Sequence, residues 1–150
     1  MIRKILKEEN IHLNIESKNK EDIINILANS LERTGDLINK SIFINDIYER
    51  ETQGLTGLEN GLAIPHGKSF GVKNTSLAVA RLNNPIEWET LDGEPVDLIV
   101  LFAVTLEDKN DVHIKILSKV AGNLAEDENV KNLKKVQTKD EIINILSKEW

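Results

Sequence analysis

A chain of 150 residues with no cysteine and a net charge of −6, from 25 acidic and 19 basic residues, suits one domain over residues 1–150 whose core needs no covalent staple. The missing cysteines exclude disulfides, thiolate nucleophiles and cysteine-ligated zinc. The acidic balance argues against nucleic acid, whose phosphates call for a basic stripe. No segment is long and apolar enough to span a bilayer, and no apolar run follows Met1-Ile2-Arg3-Lys4, so the chain reads as a soluble cytoplasmic protein without a signal peptide.

In chain order, Ile11, Leu13 and Ile15 alternate with His12, Asn14 and Glu16, as a half-buried strand does. A helix is expected from about Lys20 to Thr34, with Asn19 as N-cap, Ile23, Ile24, Leu27 and Leu31 on one face, and Gly35 as terminator. A second spans about Ile42 to Thr52, and Gly54 and Gly57 then break the chain. Leu62 to Ile64 reads as a short strand leading into a loop at His66. Ser76 to Leu82 is another strand, followed by turns at Asn83-Asn84-Pro85 and Asp92-Gly93 with a short segment around Trp88 between them. Val96 to Val104 is nearly unbroken apolar sequence, the mark of a central strand covered on both faces. A helix follows from about Val112 to Ala125, and the last opens on the capping pair Thr138 and Glu141. Asn19 to Leu27 and Thr138 to Leu146 are nearly the same nine residues. Nothing around them repeats, so they read as one helix-start solution used twice. Helices before and after a block of strands give an α/β or α+β class with a mixed sheet.

The stretch Gly61-Leu62-Ala63-Ile64-Pro65-His66-Gly67-Lys68 carries the chemistry. Pro65 fixes its own φ and holds Ile64 extended, and Gly67 leaves room for an anion or a partner surface beside the imidazole. His66 is therefore the candidate nucleophile, since imidazole is partly unprotonated near neutrality. His113 falls in the first turn of its helix, where the dipole disfavours imidazolium; a neutral ring there could give one hydrogen bond to a phosphoryl oxygen or orient a neighbour. Arg50, within Glu49-Arg50-Glu51, is a candidate for neutralising a phosphoryl group, and Thr56 and Lys68 are weaker candidates for phosphate contact. His12, on the polar face of its strand, gets no role. The spacing of the three histidines offers no zinc site, and there is no Walker or Rossmann loop and no nucleophile elbow. Trp88 reads as a core or rim aromatic.

With these residues in hand, the chain resembles the enzyme IIA domains of the bacterial phosphoenolpyruvate-dependent sugar phosphotransferase system, fructose/mannitol type. The likeness covers nearly the whole chain: Lys20-Glu21-Asp22-Ile23, Tyr48-Glu49-Arg50-Glu51, Thr56-Gly57-Leu58, Ala63-Ile64-Pro65-His66-Gly67, Pro85-Ile86-Glu87-Trp88, Leu91-Asp92-Gly93-Glu94-Pro95-Val96 and His113-Ile114-Lys115-Ile116-Leu117. It implies an α/β sandwich with a mixed sheet flanked by helices, and no metal or organic cofactor. It implies further that His66 accepts a phosphoryl group from the carrier protein HPr and passes it to an enzyme IIB domain, with His113 as second active-site histidine and Arg50 as phosphate-pairing arginine. Glu59 stands where many members have glycine, and Val104-Thr105-Leu106 lacks a proline common there. A regulatory, nitrogen-related enzyme IIA is the alternative; Glu87-Trp88 and the loop after His66 favour the sugar type. Leu58, Leu62 and Phe70 flank the loop as expected partner contacts.

Overall fold

A computed structural model of the chain describes residues 1–148. Two 3-10 turns, Ile2–Lys4 and Glu8–Asn10, lead into β1 (Ile11–Ile15), α1 (Lys20–Arg33) and α2 (Lys40–Glu51). Then come β2 (Leu62–Ala63), β3 (His66–Ser69), β4 (Ser76–Ile86) and β5 (Val96–Thr105), and finally α3 (Asp111–Leu124), α4 (Asp127–Leu133) and α5 (Lys139–Leu146). Among the described residues no helix is long and apolar enough to cross a membrane.

The sheet is mixed, in the order β1-β4-β5-β2, with β3 also on β5. β4 and β5 are antiparallel, whereas β1 runs parallel to β4, and β2 and β3 run parallel to β5. Alternation along the two central strands explains why both faces are covered. Leu77, Val79, Leu98 and Val100 pack with α3, α4 and α5, while Ala78, Ala80, Ile99 and Leu101 pack with α1 and α2. The expected α/β sandwich is what forms.

Local signals set the helix ends. The Asn19 side chain accepts from the Asp22 amide and Thr138 from the Glu141 amide, so the two near-identical segments start helices in the same way on opposite faces of the sheet. α1 ends at Gly35, φ 79°, where the Asp36 amide returns to the Leu31 carbonyl and the Gly35 amide to Glu32. That is a Schellman closure, which favours a residue without Cβ.

Three expectations change. Asn83-Asn84-Pro85 is no turn: β4 runs through it to Ile86 with a shift in register between Arg81 and Ile86, and a bulge tolerates a proline with no amide to donate. His66 does not sit in a loop but opens β3, paired with Phe102. The strand edge is broken just before it, because the Ile64 amide turns to the Thr56 carbonyl at 2.9 Å and Pro65 has none. Nor does Gly67 clear space for a ligand. A Cβ there would stand 3.0 Å from Phe43 and 3.1 Å from Ile47, so the glycine lets α2 lie close on β3.

Gly71 serves the same packing more severely, since its Cβ would meet the Asn39 carbonyl oxygen at 2.4 Å and the Phe43 amide nitrogen at 2.8 Å. Backbone cannot yield as a side-chain tip can. Gly71→Ala is expected to cost about 1–3 kcal/mol or more, the usual range for overpacking, read as a lower urea midpoint. A wild-type midpoint would mean that the start of α2 is not held at this distance.

Candidate functional site

α2 crosses β3 so that Arg50, in its last turn, meets His66 at the first position of the strand. The ring of His66 is half-buried and held at both nitrogens. Its Nδ1 lies 3.0 Å from the Ile64 carbonyl oxygen, and its Nε2 receives the Arg50 Nε–H at 3.0 Å. A guanidinium nitrogen only donates, so Nε2 must be the acceptor. The neutral ring therefore carries its proton on Nδ1, given to Ile64, and presents a lone pair at Nε2. Arg50 Nη1 also donates to the Gly54 carbonyl at 3.2 Å, which fixes the guanidinium to the loop after α2.

Around this pair lies a depression of about 250 Å³ lined by Asp46, Glu49, Arg50, Gln53, His66 and Lys68. Lys68 is two residues along the strand from His66, so its exposed side chain leaves on the same side. Two cations, Arg50 and Lys68, and two carboxylates, Asp46 and Glu49, thus line the depression that holds the imidazole. Phe70 stands just beyond, 66% exposed, and exposed Ile38 and Ile42 flank the neighbouring Gly71.

Thr56, a candidate for phosphate contact, is placed otherwise. It is 2% exposed. Its hydroxyl donates to the Glu51 carboxylate, at 2.6 and 2.9 Å, and accepts from Trp88 Nε1 at 3.3 Å. Lys20 closes the group: its ammonium reaches Glu51 at 2.8 Å and Glu89 at 2.7 Å and stands 4.8 Å over the Trp88 ring. Burial works against the charge of Lys20, but Glu51 and Glu89 together raise its pKa above the ordinary lysine value, and Lys20 in turn lowers that of Glu89. Leu62, an expected partner contact, is 1% exposed and packed between β5 and the helices beyond it; Leu58 is partly buried.

His113 occupies the first turn of α3, as read from the sequence, but shares no hydrogen bond with His66 or Arg50. Its Nδ1 meets Asp108 Oδ2 at 2.9 Å. Asp108 also accepts the Thr75 hydroxyl and, at 2.9 Å, the Asn110 amide. Partial burial pushes the Asp108 carboxyl up, yet these donors and His113 together hold it below the ordinary aspartate value. Asp108 is thus the acceptor, and a neutral His113 has a bare lone pair at Nε2. Only the imidazolium form would offer an Nε2–H to an anion, so the expectation of a donating neutral ring at this position is reversed. His113 lines a separate depression with Lys7, Asp36, Lys73, Thr75 and Asp108.

His12 gives its Nε2 to Ser30 Oγ at 2.8 Å, within a polar group that continues to Asn10. Desolvation, then Lys139 and Arg33, lower its pKa. Its role is in packing the end of α1. Sequence reasoning missed Asp108, the Ile64 carbonyl, and the linkage of Glu51 with Lys20 and Trp88; the only available cue was Glu51 beside Arg50.

Residues 4–149 match the family model described as the phosphoenolpyruvate-dependent sugar phosphotransferase system, EIIA 2. The chain is 36% identical over 146 residues to the fructose-specific EIIABC component of Bacillus subtilis (strain 168), covering 97% of this chain and 23% of that protein. It is 34% identical to the mannitol-specific phosphotransferase enzyme IIA component of Geobacillus stearothermophilus, over 95% of both chains. Among solved structures, the nitrogen regulatory protein IIA-Ntr of Neisseria meningitidis superposes with a TM-score of 0.84 at 32% identity, over 95% of this chain and 97% of that one. The chain thus spans about a quarter of the multidomain fructose-specific relative and nearly all of the other two.

Proposed function

We propose, from the premise that this chain belongs to the EIIA 2 family of the phosphoenolpyruvate-dependent sugar phosphotransferase system, that it is a phosphocarrier in sugar uptake. His66 takes a phosphoryl group from phospho-HPr and passes it to an enzyme IIB domain. The observation that carries this reading is the held ring of His66, with its proton on Nδ1 and its Nε2 lone pair on Arg50, in a depression that Lys68 also lines.

In the first step the Nε2 lone pair attacks phosphorus in line. The P–N bond of the donor breaks, and its electron pair returns to the donor ring. Nε2 cannot hold the Arg50 hydrogen bond and a phosphorus at once, so the guanidinium moves from the nitrogen onto the phosphoryl oxygens, and Lys68 adds a second positive charge. The phosphorylated ring keeps its Nδ1 proton on the Ile64 carbonyl and is therefore cationic. In the second step the pair returns to Nε2, and His66 leaves as neutral imidazole with no proton to find. The protein supplies positioning and charge neutralisation only.

The fructose type is favoured by the Bacillus subtilis relative, with the mannitol component close behind in identity. Phe70, with Ile38 and Ile42, supplies an apolar margin on which HPr and then enzyme IIB dock in turn. The regulatory alternative draws on the likeness to the Neisseria protein. One experiment separates the two. The chain is incubated with phosphoenolpyruvate, enzyme I and HPr, and the phosphorylated form is chased with fructose- and mannitol-type IIB domains. Uptake followed by discharge to IIB within seconds is expected. Uptake with no discharge to either would favour regulation, and no uptake from phospho-HPr would end the phosphocarrier reading.

A further inference from the structure

The two partners of the His66 ring come from different parts of the chain: Arg50 from the end of α2, and the Ile64 carbonyl from the strand edge before β3. The loop between them is drawn together in its middle by one residue, Thr56. Its carbonyl accepts the Ile64 amide at 2.9 Å, which holds the Ala63–Ile64 peptide. Pro65 restricts Ile64 to extended backbone and so carries that constraint across its Cα to the Ile64 carbonyl. Its hydroxyl donates to Glu51, the residue after Arg50, at 2.6 and 2.9 Å. Thus a single side-chain bond, Thr56 to Glu51, ties the Arg50 end of the loop to the Ile64 end.

The direction of that bond is forced. A hydroxyl has one hydrogen, and the Trp88 indole N–H can only donate, so it takes a lone pair of Thr56 Oγ at 3.3 Å and leaves the hydrogen for Glu51. The bond is also shielded: Thr56 is 2% and Trp88 7% exposed, and the Glu51 side chain 9%. A carboxylate so enclosed needs its partners, and Lys20 supplies the compensating charge at 2.8 Å.

We propose that Thr56 and Glu51 are positioning residues for His66: their bond holds the Ile64 carbonyl and Arg50 at a separation that fits one imidazole with its proton on Nδ1, so that Nε2 is the nucleophile. Its kinetic part rests on the phosphocarrier reading. Its structural part concerns only the resting ring and is measured without any partner protein.

The test uses ring-nitrogen NMR of the full chain labelled with 15N-histidine, together with the rate of phosphorylation by phospho-HPr. The wild type should show His66 as a single Nδ1–H tautomer. Thr56→Val, which keeps the shape and removes the hydroxyl, should show mixed tautomers and phosphorylate at least tenfold more slowly. Thr56→Ser should restore both. Should Thr56→Val fail to fold, Glu51→Met, which keeps the volume and removes the acceptor, carries the test with the same expectation. A folded variant of either kind with the single tautomer overturns the proposal, whatever its rate. So does failure of both to fold under conditions where Thr56→Ser folds, because the pair would then serve the fold and not the ring. Tautomer mixing in a chain that phospho-HPr does not phosphorylate would support the positioning and count against the phosphocarrier reading alone.

Discussion

His66→Ala should take up no phosphate from the chain of phosphoenolpyruvate, enzyme I and HPr, a loss below detection, and should still fold. The loss is complete because no other imidazole is set up alike. His12 has its Nε2 on Ser30, and His113 stands in another depression with its Nδ1 on Asp108. The fold survives because the half-exposed side chain gives up two hydrogen bonds of about 0.5–1.5 kcal/mol each, and no core residue is removed. Acid-labile label mapped by mass spectrometry decides the site. Label on His113 in the variant, at the wild-type level, would sink the assignment. In the wild type the phosphorus should be on Nε2, seen as coupling between phosphorus and that nitrogen. Phosphorus on Nδ1 would require the Ile64 bond to break first and would contradict a ring with its proton on Nδ1.

Much of this was legible in the sequence, for reasons that differ by element. α1 and α5 announce themselves through Asn19 and Thr138, because a cap is a local interaction over three residues. β5 is legible because a strand buried on both faces cannot hide its run of apolar residues. α4 was missed: in seven residues it buries Val130 and Leu133 but has no capping side chain, too little pattern to separate from a loop. The strand character of His66 was also missed, since its pairing partner, Phe102, lies on a strand formed later in the chain. Residue types pointed to His66 and Arg50, but their contact depends on how closely α2 approaches β3. That distance is set by Gly67 and Gly71, whose sequence signal is identical to that of any turn glycine. Asp108 lies two residues before the N-cap Asn110 and reaches over it to His113, a local contact that helix-capping patterns do not include.

Arg50→Ala should slow phosphorylation of His66 about 10- to 150-fold, the range that follows from about 1.5–3 kcal/mol for a hydrogen bond to a charged group. In the resting protein the Arg50 Nε–H meets a neutral nitrogen, and the same bond is broken for the reaction to begin. The guanidinium therefore stabilises the ground state a little and the charged phosphoryl group much more, and only the difference appears in the rate. Arg50→Lys should fall between, since it keeps the charge but loses the planar fork and the reach to Gly54. A second measurement isolates the resting bond. Diethyl pyrocarbonate is a small neutral electrophile that gains nothing from a cation on phosphoryl oxygens, so freeing Nε2 should make His66 of Arg50→Ala react with it faster than wild type. Slower phosphoryl transfer with faster acylation at one nitrogen is the signature of a residue that covers the nucleophile at rest and binds the charge in transit. Wild-type phosphorylation in Arg50→Ala, or a parallel fall in both rates, would assign the arginine to holding the loop at Gly54 and leave the phosphoryl charge to Lys68 alone.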